Sequence, residues 1–196
     1  MHAWSRKNTI GGLRLRSQID AHEAKVLRSV VQSVVAMLDE RESGSPHDEL
    51  EELTGLRTGA TTPPENSVLA RLLPEFHRQD EEAPGKTERP DDVASLNSAL
   101  RSLNEPLIIE EKRGVASVLL DTVPPEGGKI SLTPEQADAW ISAVNDARLA
   151  LGTMLEISHE TPEEIDPNDP RAPQLGVYHW LTWIQDSLVT ALVGER

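Results

Sequence analysis

The chain has 196 residues, a formal net charge of -14 and no cysteine, so disulfides, thiolate metal sites, thiol catalysis and a thiol redox switch are all excluded. Its length suits one domain, and 37% hydrophobic with 27% charged residues is ordinary for a soluble protein. No apolar run approaches a membrane span and the opening MHAWSRKNTI has no apolar signal region, which predicts a cytoplasmic protein without membrane contact.

In chain order, Trp4 to Lys7 and Leu13 to Ser17 alternate around the Asn- and Gly-bearing stretch Asn8 to Gly12, the pattern of a β-hairpin. The first helix should start after Asp20 and run to about Asp39, with Val26, Leu27, Val30, Val31, Val34, Val35 and Leu38 over a wide buried arc. A short acidic helix is expected from Pro46 to Gly55, and Thr62 with Glu65 suggests a second start leading into Val68 to Leu73. Residues from about 75 to 90 are acidic and Pro/Gly-bearing and predict a mobile loop.

Asp91 should open a helix with Val93, Leu96, Leu100 and Leu103 on one face, which Pro106 kinks or ends before Pro124-Pro125 stops the next stretch. Gly128 to Leu132 reads as a strand, followed at once by Thr133-Pro134-Glu135-Gln136, a capping box with proline at the first helical position. The same order recurs 113 residues earlier, where Ile19, Asp20, Glu23 and Leu27 stand in the roles of Leu132, Thr133, Gln136 and Trp140. A Pro-rich loop at about 158 to 173 and a helix from about Gln174 to Val193 complete the chain. The class that follows is mainly α: a single-domain helical bundle with a small peripheral sheet, made of the N-terminal hairpin and a strand near 129 to 132.

Charge is unevenly spread. Arg6, Lys7, Arg14, Arg16, Lys25 and Arg28 face only Asp20 and Glu23 within residues 1 to 31, a local +4, so the remainder carries -18. An acidic chain opposes indiscriminate nucleic-acid binding, but a basic N-terminal face could meet nucleic acid or an acidic protein. The plainer alternative is that alternate arginines mark the solvent side of a strand. On the helix after Thr133, Trp140, Val144, Ala147, Leu151 and Leu155 share a face at about 100° per residue. Asn145 and Arg148 border it, with Gly152 there to let another backbone approach, so Arg148 is expected either to brace two helices in an ion pair or to hold an anion. In the last helix Leu181, Ile184, Leu188 and Leu192 make a core stripe, whereas His179, Trp180 and Trp183 lie off it. Those three are covered by the hairpin with Trp4 or form an aromatic patch for a protein partner. The six histidines fall in no metal-ligand spacing, no glycine-rich phosphate loop or nucleophile elbow occurs, and no catalytic residue, metal or cofactor is indicated.

The segments SPHDELEELTGLRTG, RLLPEFHR, LRSLNEPLIIEEKR, LLDTVPPEGG and WISAVNDARLALGTMLEI, in this order, resemble an actinobacterial domain-of-unknown-function family of AosR-type oxidative-stress transcriptional regulators, usually encoded next to the Clp adaptor ClpS. The resemblance covers nearly the whole chain. It implies a cytoplasmic, non-enzymatic regulator acting in transcriptional stress control through a protein partner, a sigma factor or a Clp-system component, with DNA contacted through that partner. It also implies a paired-cysteine redox switch, from which this chain departs completely. The alternatives are an adaptor for Clp-type proteolysis and an enzyme binding an anion at Asn145 and Arg148. A homo-oligomer is left open.

Overall fold

The computed structural model describes residues 1–44, 58–76, 90–158, 160–161, 166 and 168–194. Its elements are β1 (Ser5–Thr9), β2 (Gly12–Ile19), α1 (Ala21–Ser43), α2 (Ser67–Leu72), α3 (Pro90–Thr122), β3 (Gly128–Leu132), α4 (Pro134–Met154) and α5 (Ala172–Val193). Helices dominate, and the three strands form one antiparallel sheet in the order β1-β2-β3, so the hairpin and the later strand share a sheet. The acidic helix expected near 47 to 55 and most of the acidic loop at 75 to 90 lie outside the described residues. The chain divides into two compact units, Met1–Ala36 with Lys112–Arg196 and Met37–Glu111.

In the first unit the hairpin turn is tighter than the residues suggested. Thr9 pairs with Gly12, so Ile10 and Gly11 alone make the turn, and Gly12 adopts a φ of 97°, a left-handed conformation natural to glycine. Period-two alternation then buries Leu15, Ser17 and Ile19 on one face of β2 and Ile130 and Leu132 on the same face of β3. The register Leu15 to Leu132 and Ile19 to Gly128 aligns the two strands that precede α1 and α4.

Both helices start by the same device. The Gln136 N–H donates to Thr133 Oγ1 at 3.2 Å while the Thr133 N–H donates to Gln136 Oε1 at 2.9 Å. At the head of α1 the Glu23 N–H donates to Asp20 Oδ1 at 2.9 Å and the Asp20 N–H to Glu23 Oε2 at 3.0 Å. The sequence echo is thus two strand-to-helix units with reciprocal caps, paired antiparallel through their strands. Behind the sheet, Leu27, Val31, Leu119, Trp140, Val144, Leu181, Ile184 and Leu188 belong to one buried cluster. Trp4 meets Trp140 edge to face at 5.3 Å, and Trp140 Nε1 donates to Thr122 Oγ1 at 2.7 Å, which satisfies its one polar atom inside the core.

The second unit departs most from the sequence reading. The start of α2 is Asn66, whose Oδ1 accepts from the N–H groups of Val68 and Leu69 at 2.9 and 3.1 Å, and not Thr62. Of the two courses open at Pro106, a kink or an end, the second does not occur: helix α3 continues through Pro106. A proline cannot donate to the carbonyl four residues back, here that of Ser102, but the Gly59 N–H donates to that carbonyl at 2.7 Å. The orphaned acceptor is satisfied from outside the helix. The close approach needs glycine, since a Cβ at position 59 would lie 2.8 Å from Pro106 Cγ.

The buried face of α3 here is also a different one. Arg101, Glu105 and Ile109 are buried, whereas Leu96, Leu103 and Leu107 are 42%, 53% and 62% exposed. Arg41 Nε donates to Glu105 Oε1 at 2.7 Å and Arg101 Nη1 to Glu105 Oε2 at 2.7 Å, so one carboxylate joins two guanidiniums. Arg101 further donates to the carbonyls of Leu73 and Pro74 and lies over the Phe76 ring. The arginine on α3 therefore wins burial over the leucines because it gathers the chain following α2, a set of polar partners that helical spacing does not show.

Candidate functional site

The solvent face of the sheet is assembled by cross-strand register. Lys7 stands opposite Arg14, Ser5 opposite Arg16, Arg16 opposite Ser131, and Gln18 opposite Lys129. Directly paired residues share a face, so Lys7, Arg14, Arg16 and Lys129 project to the side away from the core. An open cleft of about 520 Å³ lies on this face, lined by His2, Ser5, Arg16, Gln18, Lys129 and Ser131 among others, and the lining includes no carboxylate side chain. His2 is held there because its N–H donates to the Gln18 carbonyl at 2.8 Å and its own carbonyl accepts from Ser17 Oγ at 2.6 Å. The face offers donors and positive charge to an anion.

The structure divides the six basic residues singled out from the sequence. Lys7, Arg14 and Arg16 come together. Arg6 alternates to the other face, and its Nη1 donates to the Leu192 carbonyl at 3.4 Å, near the end of α5. Arg28 is likewise drawn away, donating to the carbonyls of Leu120 and Val123 at the end of α3. Both guanidiniums sit where helix carbonyls lack intrahelical donors and where the helix dipole favours a cation. Lys25 is exposed on α1. Lys129 was missed because it lies far along the chain, and the signal that could have found it is the pairing of the two strands. Arg14 has an acidic neighbour: the Thr133 hydroxyl first, then a backbone N–H and the positive charge of Arg14, hold the Glu135 carboxyl below its usual range.

At the other sequence-derived positions, Arg148 Nη2 donates to Asn145 Oδ1 at 3.4 Å, and Arg148 Nε is buried without a partner. An ion pair instead forms two residues earlier on the helix, with Lys112 Nζ donating to the buried Asp146 Oδ1 at 2.7 Å. Gly152 admits the Tyr178 ring and not a backbone, since a Cβ there would lie 3.1 Å from Tyr178 Cε2. Of the aromatic group, Trp183 is 39% exposed while Trp180 packs against the core and the His179 ring stands edge-on to Tyr178 at 5.7 Å. The hairpin does reach α5, where the Trp4 N–H donates to Ser187 Oγ at 2.9 Å, but Trp183 keeps its exposure. Among the described residues no three His, Asp or Glu side chains gather as a metal-donor set, and no helix is long and apolar enough to cross a membrane.

The family described as Domain of unknown function (DUF2017) matches residues 1–192. The chain is 48% identical over 193 residues to the proteins named Oxidative stress regulator AosR of Mycobacterium tuberculosis (strain ATCC 25618 / H37Rv) and Mycobacterium bovis (strain ATCC BAA-935 / AF2122/97), covering 98% of this chain and 88% of each of theirs. It is 46% identical over 191 residues to the Putative oxidative stress regulator AosR of Mycobacterium leprae (strain TN), covering 97% of this chain and 88% of that one. No solved structure matches.

Proposed function

This chain belongs to the DUF2017 family, and on that premise we propose that it is a non-enzymatic cytoplasmic regulator in transcriptional stress control that engages an acidic partner through the solvent face of its sheet. The names of its relatives support a regulatory role. The observation that carries the partner reading is that Lys7, Arg14, Arg16 and Lys129 share the solvent face of the sheet, where Arg16 and Lys129 line a cleft without carboxylates, in a chain of net charge -14. Positive charge held together against so acidic a background favours an anionic surface.

A strand face of this kind fits phosphates or carboxylates better than base edges, because it presents point charges and short donors and inserts no helix into a groove. Contact with DNA therefore belongs to an assembly in which a sigma factor supplies the sequence readout. Lacking cysteine, the chain does not sense oxidants through its own thiols and relays a signal received elsewhere.

The test is fluorescence anisotropy of a labelled duplex from the protein's own upstream region, over a salt series, with and without a sigma factor. Binding in the ternary mixture should weaken steeply with salt, and the Arg14→Ala/Arg16→Ala variant should lose at least tenfold in affinity while melting at the wild-type temperature. Undiminished binding by that variant would overturn the sheet-face reading. Absence of binding in every mixture would remove DNA and leave a purely protein partner.

A further inference from the structure

Within α3, Val93, Leu96, Leu100, Leu103 and Leu107 are separated by alternating steps of three and four residues, the spacing of a coiled-coil seam. The opposite side of this stretch is the one that the second unit buries, through Arg101, Glu105 and Ile109, whereas on the stripe Leu96, Leu103 and Leu107 are 42%, 53% and 62% exposed and Val93 and Leu100 half-buried. At about 1.5 Å per residue the stripe is roughly 21 Å long, enough to seat about four turns of another helix. Scattered surface leucines need no explanation, but a continuous row in heptad register is a surface that water covers poorly.

Charge decides what fits it. At about 100° per residue, Asp92 flanks the row at its start and Glu110 and Glu111 flank it at its end, and no lysine or arginine falls on this side between them. All three acids are exposed. A second copy laid on the stripe would bring acid against acid in either direction, Asp92 to Asp92 when parallel and Asp92 to Glu110 when antiparallel. We propose that this stripe docks an amphipathic helix of a partner protein whose apolar residues repeat in the same three-and-four spacing and whose flanks are basic. The occupant contributes the missing apolar cover and neutralises the acidic ends. This surface lies apart from the basic residues of the sheet face in sequence and in charge, and the inference does not rest on the reading of that face.

The test uses the full chain and a labelled synthetic peptide of three heptads, with leucine at the seam positions and lysine on the flanks, set beside the same peptide with glutamate on the flanks. Saturable binding of the lysine peptide is expected, with at least a tenfold loss for the glutamate peptide and at least a tenfold loss for Leu103→Ser/Leu107→Ser. Because both leucines are exposed, that variant should keep its helix content and melting temperature, which circular dichroism checks. Arg14→Ala/Arg16→Ala should bind the lysine peptide as the wild type does. Undiminished binding to the leucine variant would mean charge attraction alone and overturn the proposal, as would a failure of the lysine peptide to saturate. A dimer in sedimentation that Leu103→Ser/Leu107→Ser abolishes would assign the stripe to a second copy and overturn the choice of occupant.

Discussion

Glu105 is 1% exposed and its two oxygens serve Arg41 and Arg101, so its loss strands positive charge away from water. Removing one partner of a buried charged cluster costs far more than the cluster contributes over an apolar replacement, because the desolvated remainder has nothing to compensate it. Glu105→Ala should therefore destabilise the protein by about 3 to 5 kcal/mol, read from the shift in the urea midpoint. Arg148→Ala makes the informative contrast. With one long hydrogen bond to Asn145 and a buried Nε that has no acceptor, it should cost less than about 1 kcal/mol, and a larger loss would point to a partner that the folded chain recruits. At the head of α1, the Glu23 backbone N–H holds the Asp20 carboxyl below the ordinary carboxylate range. A lowered folded pKa gives stability that is present above the unfolded value of about 3.9 and is lost as pH falls through the folded one. Asp20→Asn keeps the capping acceptor and removes the charge, so its deficit against wild type should be constant near neutrality and shrink toward zero in acid, in urea titrations over a pH series.

At the scale of elements, α3 shows what the residues declared and what they concealed. The strand, capping box and helix from Gly128 to Met154 were legible because every signal there is local: alternation, Thr133, Pro134 and Gln136 lie within a few residues of one another. The course of α3 through Pro106 was not, because the group that satisfies the Ser102 carbonyl comes from Gly59, far away in the chain. The sheet face was half legible for the same reason, Arg14 and Arg16 being visible in one strand and Lys129 only through its pairing with Gln18. The polar cluster at Glu105 left no trace, since a buried arginine and an exposed leucine reverse the usual reading of an amphipathic helix. The Gly59 contact is itself testable. A methyl at position 59 meets the Pro106 ring at 2.8 Å to Cγ and 2.9 Å to Cδ, so Gly59→Ala should cost about 1 to 3 kcal/mol by overpacking. Pro106→Ala removes both ring atoms, and the double variant should recover most of that loss in a double-mutant cycle. Additive effects would mean that the two residues do not touch. Thr133→Ala, which removes a local cap without a clash, should cost about 1 kcal/mol and couple to neither.

For the whole molecule, the separation of charge and the lack of cysteine act together. A local +4 in the first 31 residues beside -18 in the remainder is the charge asymmetry behind both proposals, an anionic partner for the sheet and a basic helix for the α3 stripe. Both attractions should weaken with salt, which separates them from apolar burial but not from each other; the variants at Arg14 and Arg16 and at Leu103 and Leu107 separate them by position. Oxidant response separates sensing from relaying. Diamide acts on thiols, and with no cysteine in the chain it should leave the anisotropy midpoint with the sigma factor and duplex unchanged, provided that the sigma factor used is itself free of cysteine. Peroxide can reach sulfur only at methionine. Met154 is 67% exposed at the end of α4 and should oxidise first, whereas Met1 and Met37 are partly buried. Since Met154 does not line the cleft, its conversion to the sulfoxide, followed by mass spectrometry, should leave the midpoint where it was. A midpoint that moves with Met154 oxidation, and stays still in Met154→Leu, would make this chain a methionine-based sensor in its own right and displace the relay reading.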